Sequence, residues 1–411
     1  MANHKPRILL YSHDTYGLGH LRRSLAIARQ CATDIKDVYQ LLLTGSMLAG
    51  AFSLPPHLDM IKLPALSKSS NGAYKPRVLP LSINHLITWR QQIILQAAIN
   101  FKPDIFLVDK SPAGVQGELL PVLRYLKVWS PETILVLGLR DIEDSPEKTL
   151  NEWTCNGVHQ LLDEVYDLIL HYGQREFFDP ITAYHFSPTA ASKVVETGYL
   201  GHVRVTCGAK RVRRELGVGK SPLVVVTVGG GGDGYPIIKT YLDGLSATSQ
   251  ASPFHSLVVT GPLMAQRQRE LLHQANHHSH LTLMDFTPDL VNYMAAADLV
   301  VSMAGYNSVC EILSLGKRAV LIPRQSMRAE QRMRAERLAA RGLARLLRPE
   351  ELAPARLLDE IRAGLEAGPL PDIGLDLNGL SRISATVANL LGPSQLSDSH
   401  RFLQPTAMAA K

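Results

Sequence analysis

The chain has 411 residues, of which 45% are hydrophobic and 19% are charged. This composition is ordinary for a globular protein and excludes collagen-like, coiled-coil and wholly disordered chains. At roughly 100–200 residues per domain, the length predicts two domains. Lys and Arg outnumber Asp and Glu by 43 to 37, a net charge of +6 that suits anionic ligands. Because only 6% of the residues are aromatic and no basic run alternates with them, we expect no nucleic-acid partner.

The four cysteines are far apart and form no CxxC pair, which favours cytosolic thiols over a zinc ribbon or a disulfide scaffold. The start of the chain is polar and has no secretory hydrophobic segment, and no stretch approaches the roughly 18 apolar residues that a membrane span needs. We therefore expect a cytoplasmic protein. A peripheral contact with the inner membrane surface stays open.

Short apolar runs alternate with turns rich in Gly, Ser or Asp and with amphipathic segments of helical length. In the first half this pattern predicts strands at Arg7–Ser12, Val38–Leu43, Asp59–Leu63, Asp104–Val108, Thr133–Leu139 and Leu168–His171. The helices predicted between them are Gly19–Ala32, Leu79–Asn100, Ala113–Lys127 and Trp153–Tyr166. Ser67–Arg77, rich in Ser, Asn, Gly and Pro, is predicted to be a mobile loop.

The second half repeats the alternation. Its predicted strands are Leu223–Val228, Phe254–Thr260, Leu281–Met284, Leu299–Ser302 and Ala319–Ile322. Its predicted helices lie near Tyr235–Leu245, Leu263–Ala275, Leu290–Ala296, Ser308–Leu315 and Ala329–Arg341.

The predicted fold class is α/β, with two Rossmann-like, doubly wound parallel-sheet domains facing a central cleft. Residues 198–222 lack a clear period and are predicted to link them. The domains are then residues 1–197 and 223–378, followed by a helix at 379–392 that packs back on the first domain and a flexible tail at 393–411. Ligands of such folds bind beyond the carboxyl ends of the strands, so functional residues are expected in the loops that follow strands.

The first loop of this kind runs from His13 to His20 and contains Asp14, Gly17 and Gly19. The glycines allow a tight turn, and the helix N-terminus behind them offers free N–H groups to an anion or a reacting oxygen. The third glycine of a GxGxxG pattern is missing, which disfavours a nicotinamide dinucleotide site. A tight connection with a solvent-facing His20 is the alternative interpretation.

The second loop carries five glycines in six positions, from Gly229 to Gly234, directly after a predicted strand. Such a loop weakens regular structure and is useful where backbone must approach a ligand closely. The amides of Gly229, Gly230, Gly231 and Gly232 could cradle a diphosphate. The loop is not a Walker loop, because no Gly-Lys-Ser/Thr follows it. A flexible hinge is the alternative.

The third group of residues surrounds the predicted strand at Leu299–Ser302. Phe286 and Thr287 precede that strand, and Gly305, Ser308 and Glu311 follow it. Ser308 and Glu311 could equally form a helix capping box. Further along the chain stand Gln325 and Gln331.

The segment from Phe286 to Gln331 resembles the donor-binding half of the MurG-type, GT-B fold glycosyltransferases, whose C-terminal domain is of the family 28 type. The order of Ser302, Gly305, Ser308, Glu311 and Gln331 and the strand Leu-Gly-Lys-Arg-Ala-Val-Leu-Ile-Pro carry the likeness. The Gly229–Gly234 loop matches the family's second glycine-rich loop, and Gly19-His20 match the end of its first.

The resemblance implies a nucleotide-diphosphate sugar held mainly by the second domain. Glu311 would accept hydrogen bonds from the ribose hydroxyls, and Ser308 and the glycine-loop amides would hold the diphosphate. Backbone near Phe286 and Thr287 would recognise the base, uracil in our interpretation, and Gln325 and Gln331 would contact sugar hydroxyls. Such enzymes generally need no metal, so we expect no metal site and no cofactor besides the UDP-sugar co-substrate.

Two features depart from the family pattern, one on the acceptor side and one at the sugar site. The loop from His13 to His20 holds fewer glycines than the family's first loop, and Glu330 stands at one position of its Gln pair.

Inversion at an anomeric carbon requires a base that takes the acceptor's proton. His20 is the first choice, because its ordinary pKa of about 6.5 suits a base near neutrality. Asp109 and Asp141 also follow strand ends and are rivals, or partners that orient His20. For each of them a helix-capping role is equally open.

The predicted function is an inverting, metal-independent glycosyltransferase that moves a sugar from a UDP-sugar, with UDP-GlcNAc as one candidate, to a hydroxyl of a sugar or lipid-linked acceptor. A UDP-sugar hydrolase or epimerase on the same fold is the alternative, since the Gly-Leu-Gly-His-Leu-Arg-Arg string also resembles the opening of nucleotide-sugar hydrolases. A binding regulator without catalysis is the third. The eight arginines between Arg324 and Arg348 are predicted to form a solvated helix face.

Overall fold

The computed structural model describes residues 5–13, 18–68, 73–201, 204–247, 253–325 and 328–392. Two parallel sheets with helices around them confirm the predicted α/β class. Their strands are apolar runs buried on both faces, as strands covered by helices on both sides require. In Leu223–Thr227, for example, all five residues are buried.

The first sheet has seven parallel strands in the order β3-β2-β1-β6-β7-β8-β9. The strands of this half are β1 Arg7–Ser12, β2 Tyr39–Thr44, β3 Leu58–Lys62, β4 Leu66–Lys68, β5 Tyr74–Pro76, β6 Ile105–Asp109, β7 Ile134–Arg140, β8 Leu168–Tyr172 and β9 Val194–Glu196. The helices are α1 Gly19–Asp34, α2 Ile83–Phe101, α3 Leu120–Trp129, α4 Pro146–Cys155, α5 Val158–Gln160, α6 Pro180–Ala183 and α7 Pro188–Ser192.

The second sheet has six parallel strands in the order β12-β11-β10-β13-β14-β15. The helix α8 Ala209–Glu215 precedes it. Its strands are β10 Leu223–Thr227, β11 His255–Val259, β12 Leu281–Met284, β13 Leu299–Ser302, β14 Arg318–Leu321 and β15 Arg345–Leu346. The remaining helices are α9 Tyr235–Ala247, α10 Gln266–Ala275, α11 Leu290–Ala296, α12 Tyr306–Ser314, α13 Glu330–Ala340, α14 Pro354–Glu366 and α15 Gly379–Leu391.

The last helix, α15, packs against α1 at the first sheet. Its buried residues Leu380, Ile383 and Val387 join the apolar core of that half. The chain thus returns to the first domain after the second sheet is complete. The predicted tail at 393–411 lies outside the described residues.

Several predicted elements differ from the structure. The predicted loop Ser67–Arg77 overlaps the antiparallel pair β4 and β5, in which Leu66 lies opposite Pro76, and its residues 69–72 lie outside the described residues. Trp153–Tyr166 is interrupted, because α4 ends at Cys155 and Gly157 takes a positive φ of 62°. The stretch predicted as a linker includes α8, which packs against α11. Arg213 of α8 also forms an ion pair with Asp298, which lies just before β13.

Candidate active site between the two sheets

Each sheet reverses its strand order at one point, and both points open onto the same cleft. In the first sheet the reversal lies between β1 and β6, and in the second it lies between β10 and β13. At such a reversal a crevice opens between the loops that follow the two strands. Ligands of open α/β sheets bind in this crevice. Residues of both domains line the cleft, which has a volume of about 400 Å³.

His20, in the first turn of α1, lines the cleft from the first domain. Its Nδ1 lies 2.6 Å from Oδ2 of Asp109, the last residue of β6. Asp109 is fully buried behind it. Burial by itself raises the pKa of Asp109, but the charges and hydrogen bonds of Arg23 and His20 hold it well below its usual range.

The ionised Asp109 fixes the imidazole tautomer. A carboxylate can only accept a hydrogen bond, so Nδ1 of His20 donates and Nε2 is left as the proton acceptor. Burial lowers the pKa of His20 to about 4, although the hydrogen bond to Asp109 opposes the shift. The ring is therefore neutral near pH 7, the state that a general base needs.

The glycine loop faces His20 from the second domain, where Gly229, Gly230, Gly231 and Gly232 all line the cleft. Gly231 has a φ of 88°, and a Cβ there would lie 2.1 Å from the backbone oxygen of Thr260. The position therefore requires glycine. The loop leads into α9, whose first amides have no partner within the helix, so this end of the cleft favours an anion.

Gly305 and Ser308 line the cleft at the start of α12. The helix is capped by Gly305, which makes no side-chain cap hydrogen bond. The capping-box alternative for Ser308 is therefore wrong, because Ser308 lies inside the helix. The amide of the neighbouring Asn307 donates to the backbone oxygen of Gly19 at 2.9 Å, which joins the two domains at the edge of the cleft.

Glu311 is not among the residues that line the cleft. Its Oε1 accepts a hydrogen bond from Nη2 of Arg22 on α1. Its Oε2 is buried and has no partner in the described structure. Burial raises the pKa of Glu311, and Arg22 opposes that shift. The predicted ribose-binding carboxylate is thus engaged by an arginine of the other domain.

Three of the four remaining predicted donor residues line the cleft. Phe286 and Thr287 do so beside Phe52, whose ring centroid lies 6.3 Å from that of Phe286. Gln331 lines it as well, and its Oε1 accepts from the backbone N–H of Arg324 at 3.0 Å. Gln325 is exposed and does not line the cleft, so the structure does not bring it to this site.

The acceptor-side loop is only partly described. His13 and Gly19 line the cleft, and the ring centroid of His13 lies 5.5 Å from that of His20. Asp14 and Gly17 lie outside the described residues.

Asp141 does not reach the cleft. It is fully buried, and both of its oxygens accept hydrogen bonds from Arg334 of α13, at 2.7 and 2.6 Å. This placement argues against the rival base role for Asp141, because a carboxylate saturated by a guanidinium cannot reach an acceptor hydroxyl.

Glu330, which takes one position of the family's Gln pair, also lines the cleft. Charged residues that were not predicted to belong to the cleft line it as well: Arg22, Arg23, Lys110, Arg140, Arg324 and Arg328. Lys110 follows β6 with an unusual φ of 69°. Burial, together with Arg140 and Arg328, lowers its pKa to about 7.

The arginines between Arg324 and Arg348 do not form the single solvated face that their spacing predicts. Arg334 is 1% exposed, whereas Arg332 remains exposed. For Arg23, which sequence reasoning missed, the available local signal is its i, i+3 spacing from His20, which places both residues on one face of α1.

Within the described residues, no cluster of three or more His, Cys, Asp or Glu side chains is arranged to hold a metal ion. None of the described helices is long and apolar enough to cross a membrane.

The fold and the cleft define a two-domain protein of the GT-B class, and comparison with solved structures agrees. The chain resembles the glycotransferase of kitacinnamycin, with a TM-score of 0.60, 15% identity and coverage of 95% of this chain and 100% of the other. It also resembles MurG of Acinetobacter baumannii, with a TM-score of 0.54, 13% identity and coverage of 94% and 99%. A putative UDP-N-acetylglucosamine 2-epimerase from Listeria monocytogenes matches with a TM-score of 0.60, 12% identity and coverage of 95% and 98%. At these identities the likeness shows the fold alone.

Sequence comparison is more specific for the second domain. Residues 223–369 match the glycosyltransferase family 28 C-terminal domain. Over 172 residues the chain is 29% identical to the UDP-N-acetylglucosamine–N-acetylmuramyl-(pentapeptide) pyrophosphoryl-undecaprenol N-acetylglucosamine transferase of Halalkalibacterium halodurans, covering 41% of this chain and 47% of that relative. The enzyme of the same name in Bacteroides fragilis is 29% identical over 138 residues, covering 32% and 36%. The matched regions thus span about half of the length of the Halalkalibacterium halodurans relative and about a third of that of the Bacteroides fragilis relative. The MurG-like resemblance of the second domain is thereby confirmed.

Proposed function

We propose that the protein is a glycosyltransferase that transfers a sugar from a UDP-sugar to a hydroxyl group, with inversion at the anomeric carbon. The observation that carries the proposal is the placement of His20, held by the buried Asp109, across one cleft from the glycine loop and Ser308. His20, the proposed base, therefore faces the glycine loop and Ser308, which suit the binding of a diphosphate. The family match of residues 223–369 supports the assignment of the donor to the second domain.

In the proposed reaction, Nε2 of His20 takes the proton of the acceptor hydroxyl while that oxygen attacks the anomeric carbon. The bond from the anomeric carbon to the diphosphate breaks, and UDP leaves. Amides of the glycine loop and the N-terminus of α9 stabilise the departing diphosphate, a role that asks for neither a metal nor a further cofactor. UDP-GlcNAc is the first donor to try, because the curated relatives above are named as N-acetylglucosamine transferases.

The acceptor is proposed to be a sugar or a lipid-linked sugar that enters from the first domain, where His13 and Gly19 line the cleft. We place the reaction in the cytoplasm, where the protein could also lie against the membrane surface.

The test is to incubate the protein with UDP-GlcNAc, with and without pooled sugar and lipid-linked acceptors, and to measure UDP release. Transfer predicts that release depends on the acceptor, and that His20→Ala abolishes it. Equal release in water alone would instead identify a UDP-sugar hydrolase. Tight UDP binding without any release would identify a binding protein.

A further inference from the structure

Arg23, one turn after His20 on α1, contacts both carboxylate oxygens of Asp109 and shares Oδ2 with the imidazole of His20. Its Nε lies 2.7 Å from Oδ1 of Asp109, and its Nη2 lies 2.6 Å from Oδ2. The same Nη2 is 2.9 Å from Nδ1 of His20. The Arg23 side chain is only 3% exposed. Arg23 and Asp109 are thus buried beneath the partly exposed His20, and Arg23 contacts both of the other residues.

The second domain supplies the surface on which Arg23 rests. The ring of Tyr306, the first residue of α12, has its centroid 5.7 Å from Cζ of Arg23. The Tyr306 hydroxyl donates to the backbone oxygen of Tyr172 at 2.8 Å and accepts from the N–H of Leu200 at 3.2 Å. Tyr306 is therefore anchored in the first domain while it belongs to a helix of the second.

We propose that Arg23 is a positioning residue for His20. We further propose that the ring of Tyr306 holds the Arg23 guanidinium in place only when the second domain is docked against the first. This inference rests on the proposed function, in which His20 is the base. Arg23 contacts neither substrate in the proposal. It acts through Asp109, whose carboxylate plane it fixes with a two-pronged contact so that Oδ2 points at the imidazole.

The charge of Arg23 matters as well as its shape. A buried carboxylate beside a histidine favours the imidazolium form, which cannot accept a proton. Arg23 offsets the charge of Asp109 and so favours the neutral ring. Within the part of the chain that the structure describes, the other charged or titratable groups found beside His20 are Lys110, which follows β6, and His13, which follows β1.

The experiment compares the acid limb of the kcat/KM profile in the wild type, Arg23→Gln, Arg23→Lys and the control Arg29→Gln. Arg29 is an exposed cation on the same helix, bonded to Ser53. Arg23→Gln removes the charge, so the limb should move to higher pH by about one unit or more. Arg23→Lys keeps the positive charge but loses the two-pronged guanidinium contact with Asp109. The acid limb should therefore stay in place while kcat falls at least about tenfold. Arg29→Gln should match the wild type.

A titration of His20 by NMR without substrate provides the same readout independently of turnover. An upward shift in Arg23→Gln supports the proposal, and an unchanged His20 titration overturns it. If the wild type shows no turnover with any UDP-sugar, the proposed function fails. The NMR titration still decides whether Arg23 controls the protonation of His20. If Arg23→Gln does not fold, Arg23→Lys decides, because unchanged kcat there would overturn the positioning role.

Tyr306 gives the matched test of the link between the domains. Tyr306→Phe keeps the ring over Arg23, whereas Tyr306→Leu removes it. The proposal expects a larger loss of kcat in the Leu variant than in the Phe variant. Equal kcat in the two variants would overturn the part of the proposal in which the ring of Tyr306 holds Arg23 in place.

Discussion

At the scale of single residues, the imidazole of His20 carries the proposed chemistry, and its neutral form is the active one. Burial lowers the pKa of His20 to about 4. Loss of activity should therefore follow protonation at low pH, not near the ordinary histidine pKa of about 6.5.

We predict that kcat/KM is flat between about pH 5.5 and pH 7.5 and falls only as the pH drops toward 4, since a histidine with a lowered pKa stays neutral over that range. A pH–rate profile with saturating acceptor checks this, with circular dichroism at each pH to show that the protein stays folded. A limb centred near pH 6.5 would contradict the buried, neutral His20.

The ion pair of Arg22 with Glu311 is the second residue-scale feature. If Glu311 binds ribose hydroxyls, the donor must compete with Arg22 for the carboxylate. The Arg22 side chain is 27% exposed and that of Glu311 is 12% exposed, so the pair is partly screened and worth on the order of 1 kcal/mol.

Arg22→Gln should therefore tighten the binding of uridine, which lacks phosphates, by a few-fold. Isothermal titration of uridine into the wild type, Arg22→Gln and the control Arg29→Gln measures this directly. Uridine affinity that is unchanged or weaker in Arg22→Gln would show that Arg22 does not compete for the ribose site.

At the scale of elements, the glycine loop depends on one backbone conformation. Gly231 combines a positive φ with close approach to Thr260, so alanine there is strained by both the φ angle and the contact. Gly305, in contrast, has a φ of −62°, and a Cβ added there would meet nothing within 4 Å.

We predict that Gly231→Ala costs about 1–3 kcal/mol of stability and lowers UDP affinity at least tenfold, because the loop must shift away from the ligand. Gly305→Ala should keep the wild-type melting temperature. Thermal melts and UDP titrations on both variants check the pair. Equal melting temperatures would show that the loop tolerates a side chain at position 231.

Much of the architecture could be predicted from local pattern. The apolar run at β10 and the periodicity of α1 are visible in the sequence, because buried parallel strands and amphipathic helices leave periodic signals. The short strand β15 was missed because two residues give no period. Gly157 broke a predicted helix, and only the structure shows its positive φ.

At the scale of the whole molecule, a buried ion pair joins the two domains beside Tyr306. Asp141 in the first domain and Arg334 in the second are 193 residues apart in the chain. No local pattern could pair them, which is why Asp141 was predicted as a candidate base and Arg334 as part of a solvated face. Glu311 shows the same limit, since its partner Arg22 lies 289 residues away.

Arg334→Met should destabilise the protein by about 3–5 kcal/mol, because it leaves the Asp141 charge buried and unpaired. The double variant Arg334→Met with Asp141→Asn should recover part of the loss. Urea denaturation measures both, with the exposed Arg332→Met as a control expected within about 0.5 kcal/mol of the wild type. A loss below about 1 kcal/mol in the single variant would mean that the interface relaxes around the pair.

The decisive experiment is an isothermal titration of UDP into the wild type, Glu311→Ala and His20→Ala. If the cleft holds the nucleotide as proposed, the wild type binds UDP and His20→Ala binds it as the wild type does. If the ribose also displaces Arg22 from Glu311, Glu311→Ala binds UDP at least tenfold more weakly. Failure of the wild type to bind UDP would contradict the assignment of the donor site to the second domain, whereas unchanged affinity in Glu311→Ala would show only that Glu311 does not hold the ribose.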